Sequence, residues 1–319
     1  MPTTVYFASN RVLTGDAGSV ASYGPDIQPP SAPQGIVYGT AAVDGIDIAT
    51  NAQGVVAAIM ETSVGRFPAN AIDDLSNPGR DLLVFIHGFD NTFSDAVTRA
   101  AFNREWLAKS GLPSCDTTVI AFSWPSLGQI VSFPILDADY KRDQNMARLS
   151  GLHTMTFFAN LEPIVTAARA HGQRCILLAH SMGNLALESA VENWFFHGNG
   201  DAKLFDIAIL AAGDCVSTAF NQPELARLSG LSHLSRRISI YYSHVDHVLQ
   251  LSQTVNDGAQ RLGQDGPNNR SDQAEFPPAQ YRMVDATSFQ DYDFNLLSSH
   301  QYYRESLLAR QQIANDISA

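Results

Sequence analysis

The chain has 319 residues, of which 45% are hydrophobic and 16% charged, and its formal net charge is −12. This composition is typical of a globular protein that is long enough to bury a large core. The acidic balance argues against nucleic acid or an anionic membrane surface as a general partner, because both require a basic face on the protein.

Cysteine usage and apolar runs bear on the compartment. The three cysteines, Cys115, Cys175 and Cys215, are odd in number and widely spaced, which favours buried thiols over a disulfide framework. The first residues lack a basic segment followed by an apolar stretch, and no apolar run reaches the length of a membrane span. We therefore expect a cytoplasmic protein without an integral membrane segment, monomeric by default because no exposed apolar helix face is evident.

The first 80 residues contain short strand-like segments separated by glycine, proline and asparagine, at 5–8, 35–39 and 54–61. We expect antiparallel strands that enter the same sheet as the rest of the chain, so that residues 1–319 form one domain. Segments 14–34 and 263–279 are rich in Gly, Pro, Asn and Asp and are predicted to be loops.

From residue 80 onward, short apolar runs alternate with segments of helical spacing. The predicted strands are 81–86, 117–122, 174–179, 205–212 and 237–242, and the predicted helical regions are 95–109, 142–171 (with possible breaks near Gly151 and Pro163), 185–196, 218–231 and 302–313. This alternation indicates an α/β fold, a mostly parallel central sheet with helices on both faces. In such a sheet the chemistry gathers beyond the carboxyl ends of the strands. Polar residues follow the five strands there, namely His87, Ser123, Ser181, Asp214 and Asp246.

Residues 179–183 (Ala-His-Ser-Met-Gly) lie between a predicted strand and a predicted helix. They match the pattern G-x-S-x-G, a sharp turn that lifts a serine hydroxyl above the sheet, except that alanine replaces the first glycine. One added methyl group is tolerable there, and Gly183 keeps the second small position. We predict that Ser181 is a nucleophile.

The chain resembles the α/β-hydrolase superfamily at this turn, which is similar to that of some small bacterial lipases. It also resembles a bacterial group of α/β hydrolases of unknown function, in residues 8–11 (Ala-Ser-Asn-Arg), 86–89 (Ile-His-Gly-Phe), 122–126 (Phe-Ser-Trp-Pro-Ser) and 299–303 (Ser-His-Gln-Tyr-Tyr). The resemblance implies an α/β-hydrolase fold and a Ser/Asp/His triad, but no particular substrate.

Acyl transfer also needs two donors that stabilise an oxyanion. In this fold one is the backbone N–H after the nucleophile, here that of Met182, and the other comes from the loop after an earlier strand. Gly88 permits that turn, so we predict the N–H of Phe89 as the second donor. His87 is expected to hydrogen-bond the loop rather than to act in catalysis.

The chain order of the fold is nucleophile, acid, histidine. Of the nine histidines, five follow Ser181. His197 lies at the end of a predicted helix and His233 in a helical region, so both are expected at the surface; His244 and His247 flank the best acid, and the last is His300. We therefore predict that His300 is the general base. Asp246 follows a strand about midway between Ser181 and His300 and is preferred as the acid, with Asp214 as the alternative.

The remaining site predictions concern the surroundings. His180, Trp124 and Phe93 are expected near an apolar substrate pocket, although core packing would explain such aromatic residues equally well. Segments 124–139 and 263–279 could cover it. No motif for a catalytic metal is present, and no cofactor is expected.

Together these features predict a serine hydrolase that cleaves small-molecule carboxylic esters through an acyl-serine intermediate. The same triad would serve an acyltransferase, a thioesterase or an amidase. A hydrolase fold used only as a binding module is the remaining alternative.

Overall fold

The computed structural model describes residues 2–29, 35–76, 79–127, 136–221 and 227–319. The strands within this part of the chain are β1 (Thr3–Ser9), β2 (Arg11–Leu13), β3 (Tyr23–Ile27), β4 (Val37–Asp47), β5 (Ala52–Val64), β6 (Asp81–Ile86), β7 (Thr117–Ser123), β8 (Cys175–His180), β9 (Phe205–Ala211), β10 (Ser235–Tyr242) and β11 (Tyr281–Asp285). Nine of them form one sheet in the order β11-β10-β9-β8-β6-β7-β1-β4-β5, and β2 pairs with β3.

The sheet is mostly parallel. Its seven strands from β11 to β1 run parallel, whereas β4 is antiparallel to β1 and β5 is antiparallel to β4. The predicted α/β architecture is therefore confirmed. The expectation of antiparallel strands in the first 80 residues was wrong in part, since β1 pairs in parallel with β7. Antiparallel pairing within the nine-stranded sheet is confined to β1–β4 and β4–β5.

The helices are α1 (Ala69–Ser76), α2 (Phe93–Ala108), α3 (Leu136–Leu149), α4 (Gly151–Ala170), α5 (Gly183–Phe196), α6 (Leu231–Leu234), α7 (His247–Val255), α8 (Leu262–Asp265), α9 (Tyr302–Glu305) and α10 (Leu307–Ser318). The predicted helical region 142–171 is two helices that meet at Ser150, and Pro163 lies inside α4 without ending it. The predicted helix 218–231 was wrong in its described part, which is a turn followed by a 3-10 helix, Arg227–Gly230.

Two apolar clusters cover the two faces of the sheet. Alternate residues of β6 belong to different clusters, with Val84 on one face and Phe85 on the other. Both are fully buried, which is why the strand reads as a continuous apolar run and not as an alternating pattern. Helices α4 and α5 pack on the first face, and α2 and α10 pack on the second.

The register of the strands aligns the functional loops. Ile86 pairs with Ala179, Ala179 with Leu210, and Leu210 with Ile240, so β6, β8, β9 and β10 end at one edge of the sheet. The segments that follow these strands begin side by side there.

Two features bear on the predicted compartment. All three cysteines are buried, with free thiols. Among the helices that the structure describes, none combines the length and the apolar character needed to cross a bilayer.

Candidate active site

Ser181 occupies a strained turn between β8 and α5. Its φ of 56° lies in the left-handed region, which is unfavourable for a residue with a side chain. The turn is held by backbone bonds, since the Ser181 N–H donates to the Ala211 carbonyl (3.0 Å) and the Asp214 N–H donates to the Ser181 carbonyl (3.0 Å). A Cβ on Gly183 would lie 2.5 Å from the carbonyl oxygens of Ile86 and His87, so only glycine fits there. These features are those of a nucleophile elbow.

His300 and Asp246 complete a hydrogen-bonded row with Ser181. Nε2 of His300 lies 2.7 Å from Ser181 Oγ, and its Nδ1 lies 2.7 Å from Asp246 Oδ2. The carboxylate can only accept, so Nδ1 carries the proton and Nε2 presents its lone pair to the serine hydroxyl. All three side chains are almost fully buried, at 4%, 5% and 0% exposure for Ser181, His300 and Asp246.

The second oxygen of Asp246 fixes the carboxylate. Oδ1 accepts from the Leu249 N–H (3.0 Å), which makes Asp246 the N-cap of α7. The next N–H, that of His247, donates to Ser299 Oγ (3.1 Å), which is one residue before the imidazole. The start of α7 and the loop that carries His300 are thus joined by two hydrogen bonds.

The environment sets the charge state of the imidazole. Burial by itself lowers the pKa of His300, but the charge of Asp246 and its hydrogen bond outweigh burial, and the net shift is upward. Such a base is stronger than an isolated imidazole.

Asp214, the alternative acid, has other partners. Its Oδ2 accepts from the Tyr140 hydroxyl (2.8 Å) and its Oδ1 from the Ser252 hydroxyl (2.6 Å), and Nε of Arg261 lies 3.6 Å from Oδ1. The geometry therefore favours Asp246 over Asp214 as the partner of His300.

The loop after β6 lies against the serine. A Cβ on Gly88 would be 2.6 Å from Ser181 Cβ, so the backbone here approaches the serine too closely for any side chain. Within the described residues, the N–H groups of Phe89 and Met182 have no hydrogen-bond acceptor. The two N–H groups predicted to stabilise an oxyanion thus belong to residues next to Gly88 and Ser181, and each is free to donate.

His87 anchors this loop. Nδ1 donates to the Gly88 carbonyl (2.8 Å), Nε2 accepts from the Trp124 N–H (3.1 Å), and the indole N–H of Trp124 donates to the His87 carbonyl (2.7 Å). Burial holds the pKa of His87 well below its ordinary value, which keeps the ring neutral, as this bonding pattern requires.

A buried arginine supports the same loop. Arg11, 1% exposed, donates from Nη2 to the Asn91 carbonyl (2.7 Å) and from Nε to Ser123 Oγ (3.0 Å). The Asn91 amide in turn donates to the Phe89 carbonyl (2.6 Å). Arg11 belongs to a segment that carries the family resemblance, but its contact with this loop depends on the pairing of β1 with β7, which the sequence pattern does not specify.

A cavity of about 440 Å³ opens at Ser181 and His300. His180 lines it, as the sequence predicts. Trp124 and Phe93 do not line it and lie in the core instead. The ring of Trp124 stacks on that of His87 with centroids 4.9 Å apart, and the ring of Phe93 stacks on that of Tyr23 at 3.7 Å. These aromatic contacts keep both side chains buried in the core.

Other cavity residues lack a sequence pattern of their own. Arg99, Tyr140 and Arg304 line the cavity and were not predicted. Of these three residues, only Arg304 could have been suspected from its position in the sequence, because it follows His300 by four residues. Half of the predicted cover 124–139, residues 128–135, lies outside the described residues. The predicted cover 263–279 contributes no residue to the cavity lining.

In the described ranges, no three side chains of His, Cys, Asp or Glu lie close enough together to hold a metal ion.

Comparisons with known proteins give the family. The model of a family described as alpha/beta hydrolase of unknown function (DUF900) matches residues 67–315. No curated protein matches the chain. Among solved structures, a mutant of the esterase E40 is similar over 76% of this chain and 76% of that chain, with 13% sequence identity and a TM-score of 0.35. A likeness at that level carries no inference. The family match spans most of the chain, including Ser181, Asp246 and His300, and it confirms the resemblance found in the motifs. The chain belongs to the family of alpha/beta hydrolases of unknown function.

Proposed function

We propose that this hydrolase cleaves carboxylic esters through an acyl-serine intermediate. The observation that carries the proposal is the row Ser181–His300–Asp246, with both connecting distances at 2.7 Å, at the wall of a cavity. A strained serine, a base oriented by a carboxylate and two free N–H groups are the parts that acyl transfer requires.

Acylation begins with the serine hydroxyl. Ser181 Oγ attacks the ester carbonyl while its proton passes to His300 Nε2, and Asp246 stabilises the imidazolium that forms. The carbonyl oxygen becomes an oxyanion that accepts from the N–H groups of Phe89 and Met182. When the tetrahedral intermediate collapses, the C–O bond to the alcohol breaks and His300 returns the proton to the leaving alkoxide.

Deacylation repeats these steps with water. His300 Nε2 takes a proton from water, the hydroxide adds to the acyl-serine carbonyl, and the same two N–H groups hold the oxyanion. Collapse releases the carboxylic acid, and the proton on His300 restores the Ser181 hydroxyl. Alcohol and acid are the products, and the chemistry needs no cofactor.

The lining of the cavity supports a substrate with an apolar part. Val248, Leu251 and Val255 follow one another at helical spacing on α7, and Leu297 and Phe89 add further apolar surface. An aliphatic or aromatic segment of the ester would lie on this surface.

The test is hydrolysis of 4-nitrophenyl esters graded in acyl length from acetate to decanoate, with wild type beside Ser181→Ala. We expect turnover by the wild type and loss of activity in Ser181→Ala without a change in thermal stability. Esterase activity that survives the substitution, or a wild type that hydrolyses none of the series, would refute the proposal.

A further inference from the structure

Two arginines face the same cavity. Arg99 lies on α2 and Arg304 on α9, four residues after His300, and both residues line the cavity. Burying a cation in a largely apolar cavity is unfavourable unless an anion or several acceptors surround it. The hydrogen-bond and ion-pair partners of the two arginines therefore indicate whether they could bind a ligand.

Within the protein, these partners are few. Arg99 donates from Nε to Gln53 Oε1 at 3.3 Å, and none of the described carboxylates lies within ion-pair distance of it. Arg304 donates from Nε to Gln301 Oε1 at 2.9 Å, and its Nη2 lies 3.5 Å from Glu305. The terminal nitrogens of Arg99 have no protein acceptor in the described residues, and they are not sealed in the core. They are available to a ligand in the cavity.

The two cations also lie near each other and near the triad. Apart from burial, the charge of Arg304 is the largest influence that lowers the pKa of Arg99. The pKa of His180, next to the nucleophile, is lowered mainly by burial and further by the charges of His300, Arg99 and Arg304. The two like charges repel each other, and an anion between them would relieve that repulsion.

The carboxylates at the cavity form no ion pair with Arg99 or Arg304 in the described part of the chain. Asp246 bonds to His300, and Asp214 bonds to Tyr140 and Ser252. Asp90 is half-buried, forms no ion pair with Arg99, and burial raises its pKa to about 6. Among the described residues, Arg99 thus has no ion-pair partner, and Arg304 has only the 3.5 Å contact with Glu305.

We infer that Arg99 and Arg304 form a carboxylate-binding subsite, so that the preferred ester bears a second, free carboxylate. This inference rests on the proposed esterase function. A planar guanidinium presents paired donors that match a carboxylate. A monoanion fits better than a doubly charged phosphate, because Asp90 in the same cavity repels additional negative charge. The apolar surface of α7 binds the neutral part of the ester, and the two arginines bind its charged end.

The experiment uses two matched pairs of esters, which place the charge on either side of the scissile bond. On the acyl side, 4-nitrophenyl hydrogen adipate is compared with 4-nitrophenyl hexanoate. On the alcohol side, 4-(butanoyloxy)benzoate is compared with its methyl ester. We expect the wild type to prefer the charged member of at least one pair by about tenfold or more in kcat/KM, the effect of a hydrogen bond to an ionised group.

The variants Arg99→Gln and Arg304→Gln should each lower this preference about tenfold, measured as a ratio so that a general loss of activity cancels. Arg236→Gln is the matched control. It removes an arginine at the start of β10, at the opposite edge of the sheet, where Arg236 pairs with Asp206 at 3.3 Å, and it should leave the ratio unchanged.

The outcomes separate the two proposals. Hydrolysis of the neutral esters without any preference for the charged members would overturn the subsite and leave the esterase function standing. A preference that persists in both arginine variants would overturn the assignment to these residues. Faster turnover of 4-(butanoyloxy)phenyl phosphate than of the benzoate would overturn the assignment to a carboxylate. No turnover of any ester would overturn the esterase function and the subsite with it.

Discussion

Nδ1 of His300 lies 2.7 Å from Oδ2 of Asp246, although the two residues are 54 positions apart in the chain. The other carboxylate oxygen caps α7 through the Leu249 N–H. Asp246 therefore does two things at once, since it orients the imidazole and it fixes the helix that contributes apolar surface to the cavity. This double role allows substitutions that separate the charge from the cap.

Asp246→Asn keeps the cap and removes the charge, because asparagine is as good an N-cap as aspartate. We expect kcat to fall by about 10³- to 10⁴-fold, since the amide can hold the imidazole in the wrong tautomer and cannot stabilise it when charged. Asp214→Asn should lower kcat less than about tenfold, because its hydroxyl partners can also bond to an amide. The measurement is steady-state kinetics of each variant, with a thermal melt to check folding. A larger loss of kcat in Asp214→Asn than in Asp246→Asn would assign the acid to Asp214.

The pH profile follows from the pKa of His300. A general base acts in its neutral form, so activity is lost as the pH falls through its pKa. The upward shift places the acidic limb of kcat/KM above the ordinary histidine pKa of 6.5. In Asp246→Asn the charge that raises the pKa of His300 is lost, and burial, which lowers that pKa, becomes the dominant influence. The acidic limb should therefore move below pH 6.5. Asp90, with its pKa of about 6, also titrates in the cavity, so Asp90→Asn serves as the control and should leave the limb in place.

Gly88→Ala tests the close approach of the oxyanion loop. The added Cβ would lie 2.6 Å from Ser181 Cβ and 3.1 Å from Oγ, so the loop must retreat and carry the Phe89 N–H with it. We expect a loss of about 10²- to 10³-fold in kcat, the effect of removing one oxyanion donor. Gly200→Ala is a matched control, because a Cβ there meets nothing within 4 Å. Equal activity of the two variants would contradict the assignment of the loop.

The motifs around Ser181 allowed much of the site to be predicted. A strand, a small-residue turn and a helix are local features, so residues 179–183 indicate the elbow without knowledge of the fold. His300 follows from chain order, and its loop is held near Ser181 by hydrogen bonds to the start of α7. Asp246 and Asp214 remained alternatives because both follow neighbouring strands, and only the direction of each side chain separates them.

Features that depend on distant packing were not accessible in this way. Trp124 and Phe93 follow strand ends and look like pocket residues, but their aromatic partners, His87 and Tyr23, belong to other segments. Arg99 lies on α2 and Arg304 on α9, and that both residues line one cavity depends on the packing of segments that are far apart in the chain. The parallel pairing of β1 with β7 has no local signature, because apolar strands of either direction read alike.

Glu188 should make stability depend on pH. It lies on α5 with 7% exposure, its Oε1 is 3.5 Å from Arg227, and burial raises its pKa to about 7. The folded state therefore holds a proton that the unfolded state releases near pH 4.5, and the free energy of unfolding falls by up to about 3 kcal/mol as the pH rises through this interval. Glu188→Gln should remove this contribution, so that its gain over wild type is larger at pH 8 than at pH 5. The measurement is the free energy of unfolding from urea titrations of both proteins at pH 5 and pH 8. A stability difference between variant and wild type that is the same at the two pH values would contradict the prediction.

Labelling by a fluorophosphonate, followed by peptide mass mapping, tests the nucleophile itself. The reagent forms a stable bond only with a serine that a neighbouring base activates. We predict one adduct per chain, located on Ser181 and absent from both Ser181→Ala and His300→Ala. An unlabelled wild type, or an adduct on another residue that persists in Ser181→Ala, would contradict the central claim that Ser181, activated by His300, carries the chemistry of this protein.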